Sequence, residues 1–406
     1  MRRFAVLAVA LSGLIAGFAM PAQAEEPQVS REMAKPLKAV QEAIGAKQYA
    51  EAIAKAKEAN AMSGKSAYDQ YIVNEFLLAS YAAQGNYADA VPYIEANLSS
   101  PYAPPAAKAQ RIKTLMNLYY QLKNYGKVVE YGLQSRAGGD NSNDTVELIA
   151  NSYYLLGKYK DAMNTKLELV NRAEESGGRP DEKALRFVWD CANKLKDDAM
   201  AGRIVEKLVM YYPKPDYWQY ATVSLRQAQA KGSDDRLTLN IYRLMNDVGI
   251  MNRGEDYTEA AQIALDEGNP GEAYAYVQTA FSKNLYTEKR DQDKNQRLLD
   301  MAKSKAAADR ANIAKYEADA AKLSGGDGLV QIGAAYLGFG QPEKAEAAIS
   351  SGIAKGNLKY ADEAYLLLGI ADLRQKKMEE ARKAFGKVTG DAKYTRLAKL
   401  WALRTR

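Results

Sequence analysis

Histidine is absent from this 406-residue chain, and cysteine occurs once, at Cys191. The first absence removes the usual general base, the commonest zinc and iron ligand, and any Ser-His or Cys-His nucleophilic pair. Carboxylate chemistry and a lysine nucleophile stay open. A lone cysteine cannot close an internal disulfide, and the run Phe187-Val188-Trp189-Asp190-Cys191-Ala192 reads as a helix core face that buries an inert thiol. Phenylalanine is scarce, 7 against 28 tyrosines, so most aromatic rings carry a hydroxyl that needs a partner, which suits helix seams open to water along one edge. Beyond the first 24 residues no apolar run is long enough to span a bilayer. Neither sign of charge dominates: 56 Lys and Arg against 50 Asp and Glu leave +6, too even for an electrostatic nucleic-acid footprint. Gly325-Gly326-Asp327-Gly328 lacks the strand and the lysine of a phosphate loop, and Asp234-Asp235 sits where helix capping accounts for it. No catalytic residue, cofactor site or metal site emerges, and the chain is expected not to be an enzyme.

What is present begins with residues 1–24, which read as a signal peptide. Arg2 and Arg3 precede an apolar stretch from Phe4 to Phe18, and Pro21 leads into Ala22-Gln23-Ala24, a small-x-small cleavage site. The predicted cut follows Ala24, and removing two arginines takes the charge from +6 to +4. The expected location is the bacterial periplasm.

Internal periodicity decides the fold class. Gln84-Gly85-Asn86-Tyr87-Ala88-Asp89-Ala90 is nearly repeated by Leu156-Gly157-Lys158-Tyr159-Lys160-Asp161-Ala162, and again from Glu267 to Ala273 and from Phe339 to Ala345. The residue three before the closing small residue falls at 49, 87, 125, 159, 270, 342 and 378. The gaps of 38, 38, 34, 111, 72 and 36 are one, one, one, three, two and one periods of 34 to 38 residues. That is tetratricopeptide spacing, one helix-turn-helix per period. Gly or Lys ends the first helix, Tyr or Pro opens the second, and Ala52, Ala90, Ala162, Ala273, Ala345 and Ala381 stand where two helices approach closely.

The pattern therefore predicts an all-α fold, a right-handed α-solenoid of about ten such units with a C-terminal capping helix. An N-terminal array over 25–290 holds units near 33–66, 71–104, 109–142, 143–176, 182–213, 216–248 and 254–287. The 216–248 unit turns near Lys231-Gly232-Ser233. Residues 291–324 read as a degenerate helical pair beside a Gly-rich joint, a candidate bend, and 325–406 as further units with the cap.

On these motifs the chain resembles the tetratricopeptide-repeat proteins. Three stretches, Val205 to Pro213 with Tyr217-Trp218, Lys355 to Leu358, and Ala364 to Ile370, resemble the periplasmic members that accompany TonB–ExbB–ExbD energy-transduction systems. That resemblance implies an envelope scaffold assisting TonB-dependent uptake, with TonB–ExbB–ExbD components as partners, and supplies no catalytic residue.

In such an array the first helices line a concave groove, the default binding surface. Alignment on the turn puts Lys113, Asn117, Tyr120 and Gln121 there, then Asn151 and Tyr154, then Arg186, Asp190 and Asn193. Amides suit an extended peptide backbone, and Lys or Arg a carboxylate. From Arg374 to Arg406 eleven cations face three carboxylates, a second surface that reads either as a solvated face or as a dock for an acidic partner or anionic membrane. Three functions stay open: an envelope interaction scaffold, a peptide-binding or chaperone-like module, and an enzyme built on a helical array.

Overall fold

A computed structural model describes residues 27–227 and 234–406. The signal peptide, the cut after Ala24 and the turn at Lys231-Gly232-Ser233 lie outside the described residues. Twenty α-helices and a closing 3-10 turn run through the described residues, with no strand among them. No helix among them is long and apolar enough to cross a membrane.

The hairpins follow from their turns. In α1 (Arg31–Gly45) and α2 (Tyr49–Ala61) the joining residue Lys47 has φ 58°. Its N–H donates to the Ile44 carbonyl at 2.9 Å, and the N–H of Gln48 donates to that of Ala43 at 2.9 Å. These two bonds satisfy carbonyls that a helix end leaves open. The same left-handed residue recurs as Gly85, Lys123, Gly157, Lys196, Gly268, Gly340 and Lys376. Glycine adopts that conformation without steric cost, whereas a lysine there carries about 1–2 kcal/mol of backbone strain. The hairpin's two hydrogen bonds and packed seam offset it.

Three more hairpins follow: α3 (Ala67–Ala83) with α4 (Tyr87–Leu98), α5 (Pro105–Gln121) with α6 (Tyr125–Ala137), and α7 (Asn143–Leu155) with α8 (Tyr159–Glu175). Second helices open on the tyrosines the motif marks, and Ala52, Ala90 and Ala162 are buried at the crossings. The connection at Gly138-Gly139, loose by composition, is pinned by Asp140. Its carboxylate accepts from Ser135 Oγ at 3.0 Å, Thr145 Oγ1 at 2.7 Å and the Ser142 N–H at 3.1 Å.

Helix packing divides the described residues into two compact units. One runs to Pro180 and includes Asp190–Lys196; the other comprises Asp181–Trp189 and Asp197–Arg406. The division thus falls at α9 (Glu182–Lys194).

The second unit continues with α10 (Asp198–Tyr211), α11 (Pro215–Gln227), α12 (Asp235–Asp247), α13 (Gly254–Asp266) and α14 (Pro270–Ser282). After these come α15 (Lys289–Lys322), α16 (Asp327–Gly338), α17 (Pro342–Lys355), α18 (Ala361–Arg374), α19 (Met378–Gly386) and α20 (Ala392–Ala402). Here one expectation is corrected. Residues 291–324 are no helical pair, because α15 is one uninterrupted helix of 34 residues. No Gly or Pro falls between Lys289 and Lys322 to supply a turn, and its alanines favour helix throughout. The described array is accordingly nine hairpins, one long single helix and a closing helix, where the spacing suggested about ten pairs. The Gly-rich joint after α15 is held close: a Cβ on Gly326 would stand 1.9 Å from the Gly352 carbonyl oxygen, and Asp327 accepts from the Lys359 N–H at 3.0 Å.

The second unit also folds its end back on itself. Every residue of α12 from Leu237 to Met245 is buried, Asn240 and Arg243 included. Arg243 donates to both Glu272 oxygens at 2.9 and 2.6 Å and to Asn240 Oδ1 at 2.8 Å. Asn240 Nδ2 reaches Glu363 of α18 at 3.1 Å, and Arg236 reaches the same carboxylate at 3.0 Å. A buried charge survives desolvation when it is paired and hydrogen-bonded in this way. Farther along, Arg396 of α20 binds Glu206 at 2.9 Å and Ser224 at 2.8 Å, and Arg404 binds Asp247 at 2.8 Å.

Candidate functional site

The face presented by the first helices of the first unit carries most of the residues singled out from the sequence. On α5, Ile112, Leu115, Met116 and Tyr119 point into the core, leaving Lys113, Asn117 and Gln121 exposed and Tyr120 half-buried. On α7, Val146, Ile149 and Ala150 are buried while Asn151 and Tyr154 are half-buried. Helical periodicity alone accounts for this division, since residues three and four apart share a side. Asp190 is half-buried and Asn193 exposed within the same unit, whereas Arg186, also exposed, belongs to the other unit.

The charges on this face are matched from within. Lys113 Nζ lies 3.2 Å from Asp140 Oδ2. Hydrogen bonds led by those from Thr145 and Ser142 hold the Asp140 carboxyl well below the usual carboxylate range. Glu147 of α7 pairs with the buried Lys166 of α8. Tyr154 donates its hydroxyl to Asp190 Oδ2 at 2.6 Å, a bond that pushes the phenol up to about 12. The tyrosine rings repeat with the period: Tyr120 meets Tyr125 edge-on at 5.6 Å, and 34 residues later Tyr154 meets Tyr159 at 5.3 Å.

The amides differ from the charges. Asn117 Nδ2 donates to its own helix, at Lys113 O 2.9 Å away, which leaves the carbonyl end of the side chain outward. Gln121, Asn151 and Asn193 make no side-chain hydrogen bond among the described residues. An amide offers both donors and an acceptor, the complement of an extended peptide backbone.

Sequence reasoning passed over the adjoining edge. Leu122, Leu156 and Leu195 each stand just before the left-handed turn residue and are 49%, 41% and 39% exposed. Leu155 and Tyr87 are exposed beside them, and a cavity of about 320 Å³ opens among Tyr87, Leu118, Gln121 and Leu122. The signal was legible, because leucine occupies the same helix-ending position three times, at 122, 156 and 195.

Five of the eleven cations in the basic C-terminal stretch are bonded within the second unit. Arg374 binds the Leu337 carbonyl at 2.9 Å, Lys377 pairs with Glu346 at 2.5 Å, and Arg382 reaches the Thr405 carbonyl at 2.7 Å. With Arg396 and Arg404 already bonded, these five side chains help to fasten the second unit. No group of His, Cys, Asp and Glu among the described residues has the arrangement to hold a metal ion.

Left-handed turns at a 34–39 residue period, small residues at most crossings and alternating short helices together define the repeat. The hairpins are tetratricopeptide-type units. No family model and no curated protein matches the chain. Among solved structures it is similar to a tetratricopeptide repeat protein from Parabacteroides merdae, at 13% identity over 82% of this chain and 98% of that one, with a TM-score of 0.29. It is also similar to the TPR domain of P58(IPK), at 14% identity over 92% and 98% with a TM-score of 0.24. A third is the TPR2AB domain of yeast Sti1, solved as a complex with pHSP90, at 12% over 69% and 89% with a TM-score of 0.25.

Proposed function

We propose that this protein is an exported, non-catalytic interaction scaffold of the bacterial envelope that takes extended polypeptide along the first-helix face of its first unit. One observation carries the reading: on that face the charges are matched internally while the amides of Gln121, Asn151 and Asn193 are uncommitted. A surface with its own charges satisfied and backbone-like donors and acceptors turned outward favours a neutral main chain over a charged small molecule. The exposed leucines along the turn edge add apolar contacts for alternate side chains. The periplasmic location follows from the signal-like residues 1–24, and the TonB–ExbB–ExbD association from the resemblance of residues 205–213, 355–358 and 364–370.

The test is binding of unstructured peptides to the purified protein by calorimetry. Replacing both Asn117 and Asn151 with Ala removes two to four backbone hydrogen bonds of about 0.5–1.5 kcal/mol each. Affinity should fall roughly 10-fold or more with the melting temperature unchanged, since Asn117 is exposed and Asn151 half-buried. Equal affinity of the double variant would place the ligand elsewhere.

A further inference from the structure

A recess of about 590 Å³ opens between α13, the α14–α15 connection and the start of α15, all within the second unit. Gly254 lets that connection close one end of it: a Cβ there would stand 2.8 Å from the Tyr286 ring and 3.0 Å from the Leu285 carbonyl oxygen. The floor is a chain of buried hydrogen-bonded groups. The Tyr286 hydroxyl lies 3.1 Å from Thr258 Oγ1, Thr258 donates to Asn295 Oδ1 at 2.8 Å, and Asn295 Nδ2 donates to the Asp291 carbonyl at 2.9 Å. A satisfied network of this kind holds its members rigidly, and it fixes the stretch of α15 that carries Asp291 and Lys294.

Five charged side chains line the recess, and three of them are committed. Arg253 pairs with Glu255, while Glu259 takes Arg226 at 3.1 Å and the Tyr242 hydroxyl at 2.7 Å. The other two, Asp291 and Lys294, stand three residues apart on α15, and neither side chain has an ion pair or hydrogen bond among the described residues. On the α13 wall the Gln262 amide is likewise without a partner. All three of these side chains are exposed. Residues three apart on a helix have Cβ atoms about 5–6 Å apart, so a molecule with opposite charges a few ångströms apart can meet both Asp291 and Lys294. The volume falls within the ~300–1,000 Å³ of small-molecule pockets. A phosphate-like anion is a poorer match, because three carboxylates line the recess against two cations. A sugar is also a poorer match, since the ring it would stack on, Tyr286, is buried.

We infer that the recess between α13 and α15 binds a free α-amino acid or dipeptide in its zwitterionic form, with the ammonium on Asp291, the carboxylate on Lys294 and a polar group of the ligand on the Gln262 amide. This site lies in the second unit and is independent of the first unit's first-helix face.

Calorimetry of the purified protein with each L-amino acid and with Ala-Ala tests it. At least one of these should bind at millimolar concentration or below, and which one binds tightest tells amino acid from dipeptide. Acetylating the ammonium of that ligand, or converting its carboxylate to the amide, should each weaken binding about 10-fold or more. Asp291→Asn should weaken the free ligand by a similar factor and leave the acetylated form unaffected. Lys294→Gln should weaken the free ligand likewise and leave the amide form unaffected. Loss of structure would instead lower all three affinities, and because both side chains are exposed the melting temperature should hold. The Asn117→Ala, Asn151→Ala protein should bind the same ligand normally, which separates a failure here from a failure of the first-unit reading. Absence of binding by every member of the panel, equal binding of the blocked forms, or indifference to both substitutions would each overturn the inference.

Discussion

A tyrosine hydroxyl cannot be buried alone, and this chain resolves its excess of tyrosine by pairing hydroxyls with carboxylates from neighbouring helices. Tyr119 and Tyr131 stack 5.8 Å apart and both donate to Glu95 Oε1, at 2.6 and 2.7 Å; Tyr336 donates to Glu317 at 2.7 Å, and Tyr242 to Glu259 at 2.7 Å. Each bond is charge-assisted and so stronger than a neutral one. Asp372 of α18 has no such help. It is 3% exposed and its Oδ1 has no partner among the described residues. Burial, with Glu346 and Glu380 nearby and only Lys377 opposing, pushes its carboxyl up to about 6 from an ordinary 3.8. The folded chain therefore holds this proton more tightly than the unfolded chain. The stabilisation is complete below pH 3.8 and is lost as pH rises through 6. Asp372→Asn should remove that component of the pH dependence and raise stability at pH 8 by about 1–3 kcal/mol, measured by urea unfolding between pH 4.5 and 8. An unchanged pH profile would show that Asp372 is solvated or paired in solution. The glycine turns were legible in the sequence because left-handed geometry selects Gly, whereas Asp372 was not: its burial depends on packing against α17 as well as on the turn and helix that follow it.

Among the helices, α15 and α12 depart furthest from what a repeat period announces. A period marks turns, and where no turn residue interrupts a stretch it cannot tell two helices from one. The 34 residues of α15 match the length of a whole unit, so the count of periods survived while the hairpin did not. Much of its middle faces solvent, with only Ala302 and Ala320 buried after Leu298, which leaves helix propensity to hold the stretch together. Ala307→Pro should then cost about 3 kcal/mol or more, by deleting a backbone hydrogen bond and crowding the preceding turn. The change would be read in denaturant unfolding and in lost helical ellipticity. A proline there without effect on either would mean that the chain breaks near 307 after all. The burial of α12 was hidden for another reason. Its charged and amide residues, Arg236, Asn240 and Arg243, give the pattern of a half-exposed helix. Their charges are met by Glu267 and Glu272 of the next hairpin and by Glu363 more than a hundred residues on.

At the scale of the molecule, the local rules of the repeat describe both units, but they are silent on closure. Nearest-neighbour packing predicts an array in which each hairpin meets only the ones beside it. The first unit obeys that description, and its first-helix residues from Lys113 to Tyr154 could be placed by counting. The second adds contacts from α18 and α20 to α10 and α12, made by arginines that composition alone presents as a free basic end. The central proposal is that the first unit's face binds polypeptide in the periplasm. A photo-crosslinking residue in place of Asn151, with Leu133 on α6 as the comparison site, tests this in intact cells. Adducts with envelope polypeptides are expected from position 151 and none from 133, on a periplasmic protein whose chain begins at Glu25. Adducts of equal yield from both positions, or an uncut protein retained in the cytoplasm, would contradict it.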